Sequence, residues 1–496
     1  MIAKVRYSVG KVGNAGAAEY ALRTLLEMVI SPDCLVPGTC VGERHDDEVL
    51  VTYGIAPEVI DTGIHVFESG FFDDHYGTIE AMPQRPVVRI ENIPAPYRDH
   101  GGPVDRFYSV RGGGRNDQIE CHVDIVAGAF FMLSRYEETV VSSVDGFARF
   151  PAESSIAYQE GFLQEPVVNQ YAEHLLNMLR AAGFTGERRR WWGTAPWAIA
   201  VTHDIDKLHR FPMNVLDIAR YGMGRVPPWT PKVGALMRDY VQTTARRKTD
   251  EYDCLQTIAA WEVSVGMTAS YYFMGDDAGW HGADYVVDAP AVVATMQTVA
   301  GMGHEIGFHA GIDSSENAQR FYSELSRVRS AGIPVAGGRQ HYLRWKTPLT
   351  WRLWEQEGLT YDATLGYSKA AGFRCGTCLP FKPYDIEHDR EMSIWEWPLM
   401  FMDATYLLSW TEGTKVLDRL TQECSRYGGV LVALWHNTNW SDIYASPVRQ
   451  HLQRLLMESI AQGAVASSIT GLAQLSGIAT TGRVCRGRIL RGAGQS

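Results

Sequence analysis

Cysteine is scarce in this chain, with eight in 496 residues. That is too few for a disulfide scaffold and agrees with a reducing compartment. Long apolar runs are also missing: no window approaches the roughly 18 uninterrupted apolar residues of a membrane span. The first residues, Met1 to Tyr7, lead into a glycine-rich turn rather than the apolar core of a secretory leader. There is no excess of positive charge either. Lys and Arg number 46 against 57 Asp and Glu, a formal net charge of -11. Nonspecific binding to nucleic acid or to an anionic membrane needs a basic face, so neither is an expected partner. The expectation is a soluble, cytoplasmic protein with no membrane span. The 45% hydrophobic content is that of an ordinary globular chain, long enough for two or more domains with full cores.

Residues 1–190 read as a mixed α/β domain. Ala17 to Ile30 carries apolar residues at helical spacing, and strand-like runs follow at Glu48 to Tyr53 and Gly63 to Phe67. Asp124 to Glu138 predicts one helix capped by Asp124, ending in the charged cluster Ser134 to Glu138, which reads first as a structural ion-pair group. A further helix is expected from Pro166 to Ala182. After a turn containing Arg188, Arg189 and Arg190, strands alternate with helices over residues 195–475, which implies a parallel sheet or a barrel with ligands at the strand C-termini. The stretch from Asp206 to about Asp250, rich in Pro, Gly and Arg, is long enough to be a lid. Residues 476–496 carry four arginines and no acid and read as a disordered tail.

The chemistry concentrates at two strand ends. In Trp197 to Asp206, W-A-I-A-V-T-H-D-I-D, alternation puts Asp204 and Asp206 on the face of Thr202, with His203 and Ile205 opposite. Two carboxylates so close resist joint ionisation unless a cation or donor sits with them. The plainer reading is a pair of solvated acids, with Asp206 capping a helix. In Gly303 to Asp313, G-H-E-I-G-F-H-A-G-I-D, His309 is delivered to a strand end. Asp313 lies four residues on, a ligand spacing if the chain turns helical there. Asp206, His309 and Asp313 would then hold one ion and leave positions open for water. His309 equally reads as a hydrogen-bonded core histidine and Asp313 as a helix N-cap.

These segments resemble the first two motifs of the polysaccharide deacetylase family, carbohydrate esterase family 4, with its NodB-homology domain. Arg339-Gln340-His341-Tyr342-Leu343-Arg344 with Pro348 resembles the arginine-proline motif, and Leu434-Trp435-His436-Asn437 the final leucine-histidine motif. The resemblance covers about residues 195 to 475. Ala129 to Glu138 and Asp145 to Phe150 are similar to an N-terminal domain that accompanies a bacterial subgroup.

The resemblance implies a distorted (β/α) barrel and a metal-dependent hydrolase of carbon-nitrogen, non-peptide bonds. It would remove an N-acetyl group from a sugar in a glycan or glycan precursor. Carried over by position, Asp204 is the general base, His436 the general acid and Arg344 the arginine that holds Asp204. Asp206 and His309 are ligands of one divalent ion, zinc before other transition metals. The family usually presents a second histidine where this chain has Asp313, giving a harder, more anionic site. Arg339, Asp362, Arg374 and Glu396 are candidate substrate-binding residues, and a structural ion-pair role fits Asp362, Arg374 and Glu396 as well. Cys375-Gly376-Thr377-Cys378 has no second pair at zinc-finger distance and reads as structural. The rival function is a non-catalytic sugar-binding or polysaccharide-biosynthesis protein on the same barrel, a reading that Asp313 favours.

Overall fold

A computed structural model describes residues 2–38, 47–55, 63–98, 105–111, 118–209, 233–245, 249–277, 281–408, 410–440 and 442–478. The first sheet is built from β1 (Lys4–Val9), β2 (Leu35–Pro37), β3 (Glu48–Tyr53) and β4 (Gly63–Val66). After a hairpin of β5 (Val88–Ile90) and β6 (Ile93–Ala95) come β7 (Tyr108–Arg111) and β8 (Gln118–Cys121). Its order is β2-β1-β3-β4-β8-β7, parallel except for the β7–β8 pair. Three helices, Ala15–Val29, Ile125–Leu133 and Val167–Ala181, pack on one another beside it.

Ile125–Leu133 is apolar throughout and every residue in it is buried, the pattern of a helix enclosed on all sides. Asp124 caps it by accepting from the Ala127 amide at 2.8 Å. The single helix expected to Glu138 is instead broken at Arg135, which adopts φ 55°, and Tyr136–Val140 forms a separate short helix. The turn is held partly by contacts distant in sequence. The Arg135 guanidinium reaches Glu137, Glu138, the Tyr367 hydroxyl and the Arg374 carbonyl, and no local periodicity reports those.

The second sheet starts with β9 (Ala198–Ile205), β10 (Ser270–Met274), β11 (Glu305–Ala310), β12 (Gly337–Gln340) and β13 (Tyr361–Asp362). A hairpin of β14 (Tyr384–Asp385) and β15 (Arg390–Glu391) precedes β16 (Trp395–Glu396), β17 (Phe401–Met402), β18 (Val430–Leu434) and β19 (Val465–Ala466). The order is β16-β13-β12-β11-β10-β9-β18-β17, with β19 on the first residues of β9, and every pairing is parallel. Helices such as Leu255–Ser264, Pro290–Gly301 and Ala318–Arg329 separate the strands, so their C-terminal ends gather along one edge. The terminal strands β16 and β17 are not bonded to each other among the described residues. All eight residues of β9 are buried, as befits a strand covered on both faces. Where β11 meets β12 the backbones approach closely: a Cβ on Gly338 would lie 1.8 Å from the Phe308 carbonyl oxygen. Only glycine permits this approach, and it brings Arg339 alongside His309.

Each sheet draws its strands from one half of the chain, 4–121 or 198–466. The halves are nevertheless tied together. Glu138 accepts from Arg374 at 2.9 Å, the Tyr20 hydroxyl donates to the Lys382 carbonyl at 2.6 Å, and Arg23 pairs with Glu391. No helix among the described residues is long and apolar enough to cross a membrane. Most of the lid candidate, at 210–232 and 246–248, and the tail beyond residue 478 lie outside the described residues.

Candidate metal centre

The parallel order makes the C-terminal edge of the second sheet the meeting place of its reactive side chains. Along β9 the side chains alternate: His203 faces the helical layer, where its Nδ1 meets the Trp435 carbonyl at 2.7 Å and its Nε2 meets Glu262 at 2.8 Å. Asp204 and Asp206 face the other way. His309 arrives at the end of β11, His341 directly after β12, Asp403 directly after β17 and His436 two residues past β18.

Three atoms converge there. Asp206 Oδ1 lies 3.1 Å from His309 Nε2 and 3.5 Å from His341 Nδ1, and the two ring nitrogens are 3.0 Å apart. Asp206 Oδ1 is buried and accepts no hydrogen bond. His309 Nδ1 faces the Arg339 carbonyl at 2.9 Å. A carbonyl only accepts, so Nδ1 carries a hydrogen and Nε2 is the nitrogen that the neutral ring offers to an ion; against its burial, Asp204 and Asp206 raise the pKa of this imidazole. Ligand atoms around tetrahedral zinc at about 2.0–2.1 Å stand roughly 3.3–3.5 Å apart. The spacing and the donor chemistry of this trio therefore fit one divalent ion.

Burial alone would raise the two carboxyls, but neighbouring basic groups outweigh it. Arg339, with His309 and His436, holds Asp204 below the usual carboxylate range, and the three histidines do the same for Asp206. His341 is pushed down to about 4, chiefly by burial, and so is neutral as a ligand must be. For His436 burial is outweighed by Asp403, Asp206 and Asp204, and its pKa is raised to about 10. Asp403 accepts from His436 Nδ1 at 2.7 Å and from the His436 amide at 2.8 Å, and Asn439 Nδ2 donates to it at 2.8 Å. His436 Nε2 is left facing Asp206 Oδ2 at 3.8 Å.

Asp204, Asp206, His309 and His436 thus come together, and the other expected site residues are placed differently. Asp313 is not in the group: its side chain is 55% exposed and pairs with Arg320 and Arg344. β11 stays extended through Ala310, and Asp313 sits in the short 3-10 turn Ile312–Glu316. The helical i, i+4 relation to His309 therefore never forms, and His341 stands in the third place. Arg344 does not touch Asp204; it reaches the Ile312 carbonyl, Asp313 and Glu316. The arginine on Asp204 is Arg339, whose Nη1 donates to Asp204 Oδ1 at 2.8 Å and to Thr202 Oγ1 at 2.9 Å. Arg339 is fully buried and has no surface to offer a substrate. Arg374 is spent on Glu138 and the Gly366 carbonyl at the seam between the halves.

Asp362 and Glu396 face each other on β13 and β16, fully buried. Desolvation raises both carboxyls, and each is bonded within the core: Asp362 to Thr364, Glu396 to the Trp351 indole and the Leu365 amide. They line the interior rather than an opening. Cys375 and Cys378 are both buried and free. Sequence reasoning missed His341 and Asp403. The first lay within the quoted arginine-proline segment; the second follows a strand of only two residues, too short for any periodicity.

Residues 17–183 match a family of unknown function (DUF7033). No curated protein matches the chain. Among solved structures, one described as "putative polysaccharide deacetylase from Mycobacterium smegmatis" aligns with 56% of this chain and 90% of its own, at 15% identity and a TM-score of 0.36. Puue allantoinase aligns with 59% of this chain and 94% of its own, at 12% identity and a TM-score of 0.39. The functional reading therefore rests on the geometry of the site itself.

Proposed function

We propose that this chain is a metal-dependent hydrolase of the polysaccharide deacetylase kind, cleaving the carbon-nitrogen bond of an N-acetyl group on a sugar in a glycan or glycan precursor. The observation that carries the reading is the convergence of three candidate ligand atoms, Asp206 Oδ1, His309 Nε2 and His341 Nδ1, at 3.0–3.5 Å from one another, flanked by an anionic Asp204 and a protonated His436. Asp206, His309 and His341 would hold one divalent ion, for which a two-imidazole, one-carboxylate set suits zinc among the transition metals. Such an ion, when bound, supplies a Lewis acid for the amide carbonyl and lowers the pKa of water.

The chain's own groups do the rest. Asp204, kept ionised and oriented by Arg339, accepts the proton of the attacking water. His436, kept protonated by Asp403, donates from Nε2 to the departing nitrogen as the carbon-nitrogen bond breaks, because an amine leaves poorly as its anion. Acetate and a free amino sugar result. Under this proposal residues 195–475 form the distorted barrel domain and residues 1–190 a separate α/β domain, a division that the two independent sheets support.

The test is metal analysis of the purified protein together with acetate release from a panel of N-acetylated hexosamines. One bound divalent ion per chain and acetate release that stops on chelation and returns with metal are expected. A protein that holds metal but releases no acetate from any member of the panel would favour the binding-only alternative.

A further inference from the structure

The loop carrying His341 is an awkward piece of backbone. Tyr342 and Leu343 both adopt left-handed conformations, with φ 59° and 55°, which are costly for non-glycine residues and persist only where their surroundings hold them. Much of what holds them comes from the other half of the chain. Arg149 Nη1 donates to the Tyr342 carbonyl at 2.8 Å. Phe147 stacks on the Tyr342 ring, 4.8 Å between centroids and 13° from parallel. The Arg149 guanidinium lies over Phe147 at 4.9 Å and is itself fixed by Asp145 at 2.7 and 2.9 Å. At the far end of the loop Thr347 donates to Glu138 at 3.1 Å. Within the second half, His281 Nδ1 meets the Tyr342 hydroxyl at 3.0 Å, and the Tyr342 and His341 rings are 4.3 Å apart.

We infer that the N-terminal half, through the Asp145–Arg149 turn, is a positioning element for the metal centre: Arg149 and Phe147 clamp Tyr342 and so hold His341 Nδ1 against Asp206 and His309. The inference rests on the metal-site reading above and gives the N-terminal half a defined role in it. Phe147 is 38% exposed, so its side of the clamp can be loosened without opening a core, whereas Arg149 is buried. The clamp acts on the ligand's backbone, so its signature is the affinity of the centre for metal rather than the pKa of a group.

Zinc affinity is measured by competition with a chromophoric chelator on the full-length apo-protein, for wild type, Arg149→Met, Arg149→Lys and Phe147→Ala, with thermal unfolding of each apo-protein alongside. Partners that orient a ligand typically contribute 10–100-fold in metal affinity. Arg149→Met should therefore weaken zinc binding about tenfold or more. Arg149→Lys, which keeps a donor for the Tyr342 carbonyl, should restore part of it. Phe147→Ala should weaken binding several-fold with little change in apo melting temperature. Wild-type zinc affinity in Phe147→Ala and in a folded Arg149→Met overturns the inference. Should Arg149→Met not fold, Phe147→Ala and Arg149→Lys decide it by the same criterion. A wild-type protein that binds no zinc sinks instead the metal-site reading beneath it.

Discussion

Two clusters of buried charge sit in this molecule, and they are built in opposite ways. At the seam between the halves, Arg135 and Arg374 face Glu137 and Glu138. The charges cancel, and the guanidiniums donate to carboxylates, carbonyls and the Tyr367 hydroxyl. At the sheet edge, Asp206 Oδ1, His309 Nε2 and His341 Nδ1 crowd within 3.5 Å of one another, and Asp206 Oδ1 is buried without a hydrogen-bond partner. Buried polar groups are normally paired. The seam follows that rule and is structural; the edge breaks it in the one way that a cation would repair. Burial and charge alone do not mark a site, whereas an unmet carboxylate oxygen converging with two imidazole nitrogens at ligand spacing does.

Breaking the seam should give the largest effect. Glu138→Ala leaves two guanidiniums buried beside a missing partner, so stability to urea should fall by about 3–5 kcal/mol. The same cluster predicts a pH signature. Burial opposes ionisation of Glu138, but Arg374 and Arg135 overcome it and depress its pKa to about 2, below the ordinary value of about 4.3. A depressed acid contributes stability that is fully present above the unfolded value and is lost as pH falls through the folded one. Relative to Glu138→Gln, the wild type should therefore lose its advantage between about pH 4 and pH 2. An advantage that persists below that window would mean that the ion pairs are not its source.

At the edge, Asp204→Asn removes the proton acceptor but keeps its shape. Turnover should fall by about two orders of magnitude or more, with metal content little changed. Asp206→Asn should instead lower metal occupancy, because a ligand's charge is lost. Equal metal loss in both variants would erase the distinction between base and ligand. Asp403→Asn should move the alkaline limb of the kcat/KM profile to lower pH, since the carboxylate that raises His436 is gone. An unmoved limb would assign that limb to another group. The smallest effect is expected at Asp313→Asn. An exposed ion pair contributes about 0–1 kcal/mol, so stability and metal content should both stay near wild type.

The parts of this account legible in the sequence are those with local period. Alternation along β9 places Asp204 and Asp206 on one face and His203 on the other, and apolar runs deliver His309 and His436 to strand ends. β3 matches its expected bounds at Glu48–Tyr53, and the helices Ala15–Val29 and Val167–Ala181 fall within two residues of theirs. What the sequence hides depends on the path of the chain between elements. His341 is held by a loop with two left-handed residues, Asp403 follows the two-residue strand β17, and Arg339 reaches Asp204 across β11 and β10. Asp313 misleads for the same reason, because its spacing from His309 matters only if a helix begins at once. Here Gly311 keeps the chain extended, at φ -62° and ψ 161°.

The central claim is that His341, and not Asp313, completes a centre with Asp206 and His309. Zinc titration of wild type, His341→Ala and Asp313→Asn tests it most directly. One equivalent bound by wild type and by Asp313→Asn, with affinity lowered at least about tenfold in a folded His341→Ala, is the predicted result. Retention of wild-type affinity by His341→Ala, or its loss in Asp313→Asn, would contradict it.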